Sequence, residues 1–315
     1  GAPGAPATVK VGLARGRGYQ IVEMPLEAYV AGVLAGEAAP RSDTAALQAL
    51  AITIRTYTVA NLGRHRAQGF DLCDQTHCQV YRAATPITKA AAAATAGEIL
   101  LYQHAPATVY FSAWCGGYTE QPSHVWPGAA DVPYLPARPD PACARLPGWS
   151  TALTTVTLER ALHTAGYRGR LRRMDAIDRD RSGRITALWL DGMTPSTISG
   201  QDLRMAVGAT VIKSTAFTMN AVPGGYELTG HGFGHGVGLC ELGAAQMAAH
   251  GKSAAEILAA YFPGTTIAPI GGGASRAIKP RPFPKVPSAA GPAPSAPYTP
   301  SAGRPGTRRR GPGSR

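Results

Sequence analysis

The 315-residue sequence lacks any stretch approaching the roughly 20 uninterrupted apolar residues of a membrane-spanning helix, so no transmembrane protein is expected. It does not open on a basic segment followed by an apolar one, so any export signal is expected to be missing from the chain as given. Charged residues are scarce, at 16%. The five cysteines are too few for a disulfide-built scaffold, and their odd number leaves at least one thiol outside any intramolecular bridge. The HEXXH, GxSxG and Walker signatures are absent, which removes the common metalloprotease, serine-hydrolase and nucleotide-binding readings. No internal repeat is visible.

What is present starts with 44% apolar residues, enough for a substantial core. Glycine (38) and proline (27) are abundant, and the net charge is +12. Ten of those prolines and nine Lys or Arg, with no Asp or Glu, fall between Gly271 and Arg315, which leaves the remainder near +3. The basic character therefore belongs to one end of the chain, and a nucleic-acid partner is not expected. That end has few large apolar residues with which to offset its ordering entropy. It reads as a disordered basic tail, with Arg308, Arg309 and Arg310 available to anionic envelope polymers or lipids.

Alternation at Val9, Val11 and Leu13, and again from Tyr19 to Val22, predicts two strands. Pro25 and Glu27 suit a first helical turn, and Leu26, Tyr29, Val30, Val33 and Leu34 make one apolar face of a helix ending near Glu37. A second helix is expected from Thr44 to about Leu62, capped by Ser42 or Asp43, with Leu47, Leu50, Ala51, Ile54 and Thr58 as its buried stripe. Further helices are read at Ala90–Ala94, Thr157–Ala165, Gln201–Val207, Cys240–Ala249 and Ala254–Tyr261. Strands are read at Ile99–Tyr102, Val109–Ser112, Met174–Asp180, Arg184–Leu190, Val211–Met219 and Tyr226–Thr229, with a Pro-rich loop running through Trp149. Without a regular βαβ alternation the expected class is α+β. It comprises one large domain with a cleft over residues 8–268, a flexible segment 1–7 before it and the tail 269–315 after it.

Six segments carry the chemistry: Met24 to Glu37, Ala46 to Tyr57, Cys73 to Tyr81, Ser112 to Thr119, Gly200 to Arg204, and Gly230-His-Gly-Phe-Gly-His-Gly-Val-Gly238. Together and in this order they resemble the SpoIID/LytB family, the stage II sporulation protein D and amidase-enhancer group. The resemblance implies an exported cell-envelope protein acting on peptidoglycan glycan strands, either as a lytic transglycosylase of peptide-stripped strands or as a non-catalytic enhancer of a separate wall amidase. It assigns Glu37 as the catalytic acid. A single carboxyl group suffices for that reaction: it protonates the leaving oxygen and then accepts the proton of the muramic C6 hydroxyl that attacks the anomeric carbon. The small neighbours Gly36, Ala38 and Ala39 favour a raised pKa by desolvation. The alternative is an ordinary glutamate at a helix end; Glu27 is explained by first-turn stabilisation.

The resemblance places Arg55 and Tyr57 near the cleft, with Arg55 on a substrate carboxylate or orienting Glu37. From the residues alone they read as a salt bridge and a core-edge phenol. It likewise places His235 beside the cleft, against the alternative of a histidine bonded to backbone to hold a glycine-rich loop. Where the family continues with Gln, this chain has Glu241, an added carboxylate near the site. His65, Cys73, His77 and Cys78 form a compact soft-ligand cluster. It suits a structural zinc, which some family members bind in this region, or else a Cys73–Cys78 disulfide. No cofactor is expected for catalysis itself. Cys115 and Cys143 are candidates for a second bridge that leaves Cys240 free.

Overall fold

The computed structural model describes residues 8–39, 42–144 and 146–271. The segment 1–7 and the basic stretch from residue 272 onward lie outside the described residues. The domain continues slightly past residue 268, because the strand Thr266–Pro269 pairs with Glu98–Tyr102 and the Ile270 N–H donates to Gly97 O.

The described residues form an α+β fold of eight α-helices and sixteen mostly short strands in several small sheets. The helices are α1 (Leu26–Glu37), α2 (Thr44–Ala60), α3 (Pro86–Ala94), α4 (Pro122–Val125), α5 (Thr155–Thr164), α6 (Gly200–Val207), α7 (Glu241–Ala249) and α8 (Ala254–Tyr261). None is long and apolar enough to cross a membrane.

The core is organised around α2. The expected stripe is only part of what it buries, since nearly every residue from Ala46 to Thr58 is enclosed. The reason is that α1, α3, α7, α8 and the strand Glu98–Tyr102 all pack on it. A helix enclosed on so many sides must satisfy its polar side chains internally. Thr53, Thr56 and Thr58 donate to the carbonyls four residues back at 2.9, 2.6 and 2.8 Å, and Thr56 Oγ1 also accepts the Leu100 N–H. Asp43 occupies the N-cap position of α2 without a side-chain capping bond.

The opening hairpin pairs Thr8–Arg15 with Gly18–Pro25, and Leu72–Cys73 adds in parallel on its other edge. The second half is strand-rich. The expected hairpin is longer than read, Arg168–Arg179 against Ile185–Thr194, with Thr197–Ser199 as a third strand. The strand expected at Val211–Met219 is displaced to Phe217–Val222: Gly208 O accepts the N–H groups of Val211 and Ile212, closing a turn there. Trp149–Thr154, read as the end of a loop, is a strand paired with Gly225–Gly230. The displaced strand pairs locally with Gly225–Gly230, whereas the partners of Trp149–Thr154 lie more than 70 residues away, beyond the reach of local periodicity.

Candidate active site

Glu37 is the last residue of α1, and the geometry around it follows from two glycines. A Cβ at Gly32 would lie 2.1 Å from the Tyr81 ring and one at Gly36 2.2 Å from Val80 O. Their bare backbone lets the segment 79–82 lie flat on the helix. Tyr81 then stacks on Tyr29, with centroids 5.9 Å apart and planes within 5°. Gln79 is fixed from both sides, its Oε1 accepting from Tyr29 Oη and Thr58 Oγ1. The Arg82 N–H donates to Gly32 O at 3.0 Å. With the segment pinned, the Val80 N–H points at Glu37 and donates to Oε1 at 2.6 Å.

The Glu37 carboxyl is pushed up to about 7, by burial first, against the opposing pull of the Val80 N–H and the Arg82 charge. The residue nevertheless keeps part of its surface open. Its Oε2 has no hydrogen-bond partner among the described residues.

Glu241 opens α7 and is 4% exposed. Its carboxyl is pushed well up, by burial first and then by the negative charge of Glu37. Two carboxyls from sequence positions about 200 residues apart are thus coupled through their charge, which, with burial, favours the protonated form of Glu241. Ser112, which drew no reading of its own, lies in the strand Phe111–Ser112 that pairs in parallel with Leu239–Cys240. Its Oγ is buried and has no hydrogen-bond partner among the described residues. Neither this residue nor the Val80 N–H has a sequence signal, since a backbone donor and an orphaned hydroxyl exist only in the folded chain.

Other expected site residues land elsewhere. Arg55 is fully buried and spans helices: Nε and Nη2 meet Glu27 Oε1 and Oε2 at 2.9 and 2.6 Å, Nη1 donates to Glu98 O, and Nη2 to Ala92 O. No hydrogen bond joins it to Glu37, and the salt-bridge reading describes its contacts, a bidentate brace joining α1, α2 and α3. Tyr57 is buried, and its phenol is pushed up by burial and then by Cys78, which places it beside the Cys/His cluster. His235 accepts the Val237 N–H on Nδ1 at 3.0 Å and packs against Trp126, centroids 4.9 Å apart. Burial, followed by the Arg204 and Arg184 charges, pushes it down to about 3, so the imidazole is neutral. Its partners are backbone and rings, and the loop-holding alternative describes it. Two surface hollows, one of about 280 Å³ between Lys10 and Arg66 and one beside His163, include none of these residues.

His65, Cys73, His77 and Cys78 converge, each offering a ligand atom within 4.8 Å of the others. His65 Nε2 lies 3.3 Å from Cys78 Sγ, while its Nδ1 is held by Gln68 Oε1. His77 Nδ1 is 3.9 and 3.7 Å from the two sulfurs. The Cys73 thiol is pushed down to about 4 by its bond with Cys78, against burial and with further help from His77. A Cys2His2 set, one histidine oriented through its second nitrogen, fits a tetrahedral zinc. All five cysteines carry free thiols. The expected Cys115–Cys143 bridge is not formed, and Cys240 is not apart from them but 3.7 Å from Cys143.

An α+β domain with two raised carboxyls at helix ends, one part-open and one buried, and a Cys2His2 cluster beside the first, is the class of protein that this geometry defines. Comparison with known proteins makes it particular. The stage II sporulation protein (SpoIID) family model matches residues 15–102, which hold Glu37 and the Cys/His cluster, and a domain of unknown function (DUF8618) matches residues 144–238. An uncharacterised protein of Brachyspira hyodysenteriae is 34% identical over 251 residues, covering 78% of this chain and 67% of that protein. Stage II sporulation protein D of Bacillus amyloliquefaciens is 28% identical over 283 residues (82% and 78%). The amidase enhancer of Bacillus subtilis is 27% identical over 288 residues, covering 75% of this chain and 40% of that protein. The chain belongs to the SpoIID/LytB family.

Proposed function

We propose that the protein cuts peptidoglycan glycan strands, stripped of their stem peptides, by lytic transglycosylation outside the cytoplasmic membrane. Glu37 is the general acid and then the base. The supporting observation is its carboxyl: part-open, with Oε2 free, and held near a pKa of 7 by burial. A general acid works best when it is substantially protonated at the working pH yet ready to give the proton up. Protonation of the glycosidic oxygen lets the bond to the anomeric carbon break. The muramic C6 hydroxyl forms the new bond there, and its proton returns to Glu37, so no water is consumed and the product ends in a 1,6-anhydro sugar. Glu241, buried and with its carboxyl pushed well up, supports Glu37 without acting as a nucleophile.

The Cys2His2 cluster would hold a structural zinc, which supplies order rather than chemistry. It ends at Cys78, two residues before the N–H that fixes Glu37. The experiment is incubation of the purified chain with peptide-free glycan strands and mass spectrometry of the products. Anhydro ends that vanish in Glu37→Gln support the reading. Reducing ends would instead mean hydrolysis, with Glu241 as the first candidate to activate water.

A second reading rests on the similarity to the amidase enhancer: wall binding that stimulates a separate amidase. A chain that never cuts yet accelerates an added amidase establishes it.

A further inference from the structure

Cys115, Asp140, Cys143 and Cys240 bring three thiols and a carboxyl together, every ligand atom within 4.8 Å of the others. All four are buried, Cys143 and Cys240 completely. Asp140 Oδ2 lies 3.2 Å from Cys115 Sγ and 3.4 Å from Cys143 Sγ. Cys143 Sγ lies 3.7 Å from Cys240 Sγ and 3.0 Å from Cys115 Sγ. We propose that these four residues bind a divalent thiophilic cation of the zinc class, at a second site separate from the Cys2His2 cluster.

The geometry is that of a tetrahedral ligand set. Metal–sulfur bonds of about 2.3 Å put ligand sulfurs about 3.8 Å apart, and an oxygen ligand about 3.5 Å from each sulfur. The Cys143–Cys240 and both oxygen–sulfur distances already match to within a few tenths of an ångström. Of these distances, only that of the Cys115–Cys143 pair must open. A disulfide between those two would use half the cluster and leave a third thiol and a carboxyl converging on a neutral bond for no reason. Four groups that are anionic when deprotonated repel one another in a low-dielectric interior unless a cation sits among them.

The surroundings are built for such an ion. Tyr261 Oη donates to Asp140 Oδ2 at 2.8 Å, orienting the carboxylate, and the N–H groups of Cys115 and Gly243 both donate to Cys240 Sγ at 3.3 Å. A Cβ at Gly243 would stand 2.1 Å from Tyr261 Oη and 2.8 Å from Asp140 Oδ2, so only glycine leaves the space clear. Arg184, 2% exposed, donates from Nη2 to Cys115 O, and its Nε lies 3.9 Å from Oε2 of the buried Glu120. The ion joins the Ser112–Thr119 segment, the turn at Asp140–Cys143 and the start of α7, and the residue after ligand Cys240 is Glu241. The inference rests on these four residues and not on glycan cleavage.

The test uses the full chain purified without added metal. Elemental analysis and native mass spectrometry should find one zinc equivalent fewer in Cys143→Ser than in the parent, whatever the first cluster holds. Tyr261→Phe, which removes only an orienting bond, should lose its metal to a competing chelator about 10–100-fold more readily. Alkylation in denaturant without reductant should find Cys115, Cys143 and Cys240 all as thiols. A Cys115–Cys143 linked peptide overturns the site, as does metal content unchanged in Cys143→Ser. If that variant does not fold, an unchanged chelator competition in Tyr261→Phe overturns it equally.

Discussion

The two cysteine clusters solve different problems with similar atoms. The first draws its four residues from 14 consecutive positions, and its histidines reach the surface. The second spans 126 positions from Cys115 to Cys240 and is wholly buried. Both stand next to the carboxyl pair, the first through Val80 and Glu37 and the second through Cys240 and Glu241. A local cluster orders the loop it sits in, whereas a dispersed one ties distant segments to each other. The carboxyl pair is held between one of each kind.

The largest effect expected is on the group both clusters serve. Glu37→Gln should lower glycan cleavage by about a hundredfold to ten-thousandfold, because an amide of the same shape delivers no proton. Metal content should not change. Parental cutting by this variant would mean that the clusters frame something other than a catalytic acid.

The comparison sharpens with a chelator. Titrated into the parent chain, it should remove metal from the half-exposed Cys2His2 cluster before the buried one, with a fall in Tm at the first step. Simultaneous release would erase the distinction drawn from burial.

The frame on the Glu37 side also depends on Arg55. Arg55→Met should cost about 3 kcal/mol in urea unfolding, since it strands a carboxylate and two buried carbonyls; that is the low end for breaking a buried pair, because Glu27 remains 35% exposed. Rates per folded molecule should hardly move, which would separate a brace from a substrate ligand. Gly36→Ala should cost about 1–3 kcal/mol and slow cleavage as well, because its Cβ forces Val80 away from Glu37.

The smallest effect is on stability against pH. Burial raises the Glu37 carboxyl from 4.5 to about 7, so the folded state holds this proton more tightly than the unfolded one. Its contribution is therefore unfavourable above pH 7, shrinks as pH falls toward 4.5, and is gone below that. Glu37→Gln should melt higher than the parent at pH 8 and lose that advantage at pH 4.5. Cleavage by the parent should decline above pH 7 as the acid is lost. A flat difference in Tm between the two proteins across this range would place the perturbed proton elsewhere.

How far each element was legible follows the same divide. α1, α2 and α8 announce themselves by apolar spacing and first-turn residues, and the Cys/His cluster by four ligands in one short segment. Glu37 was legible through the resemblance of its segment, and Glu241 through a departure from the same pattern. Arg55 was misread in part because a conspicuous cation on an apolar helix looks functional, until Glu27 and two carbonyls are seen to use its donors. His235 sits in a motif whose resemblance suggested a cleft residue, and the folded loop sets it against backbone and rings.

By itself the sequence determined the α+β character, the positions of most helices, and the concentration of the basic charge in the last 45 residues. These depend on periodicity, composition and residue type, which are written locally. Tertiary structure alone decided that Trp149–Thr154 is a strand, that Val80 supplies the donor to Glu37, that the charge of Glu37 reaches Glu241, and that Cys115, Asp140, Cys143 and Cys240 meet. Each of those needs segments many residues apart to approach within a few ångströms. Such an approach is fixed by burial and backbone pairing across the whole chain, and no local pattern encodes it.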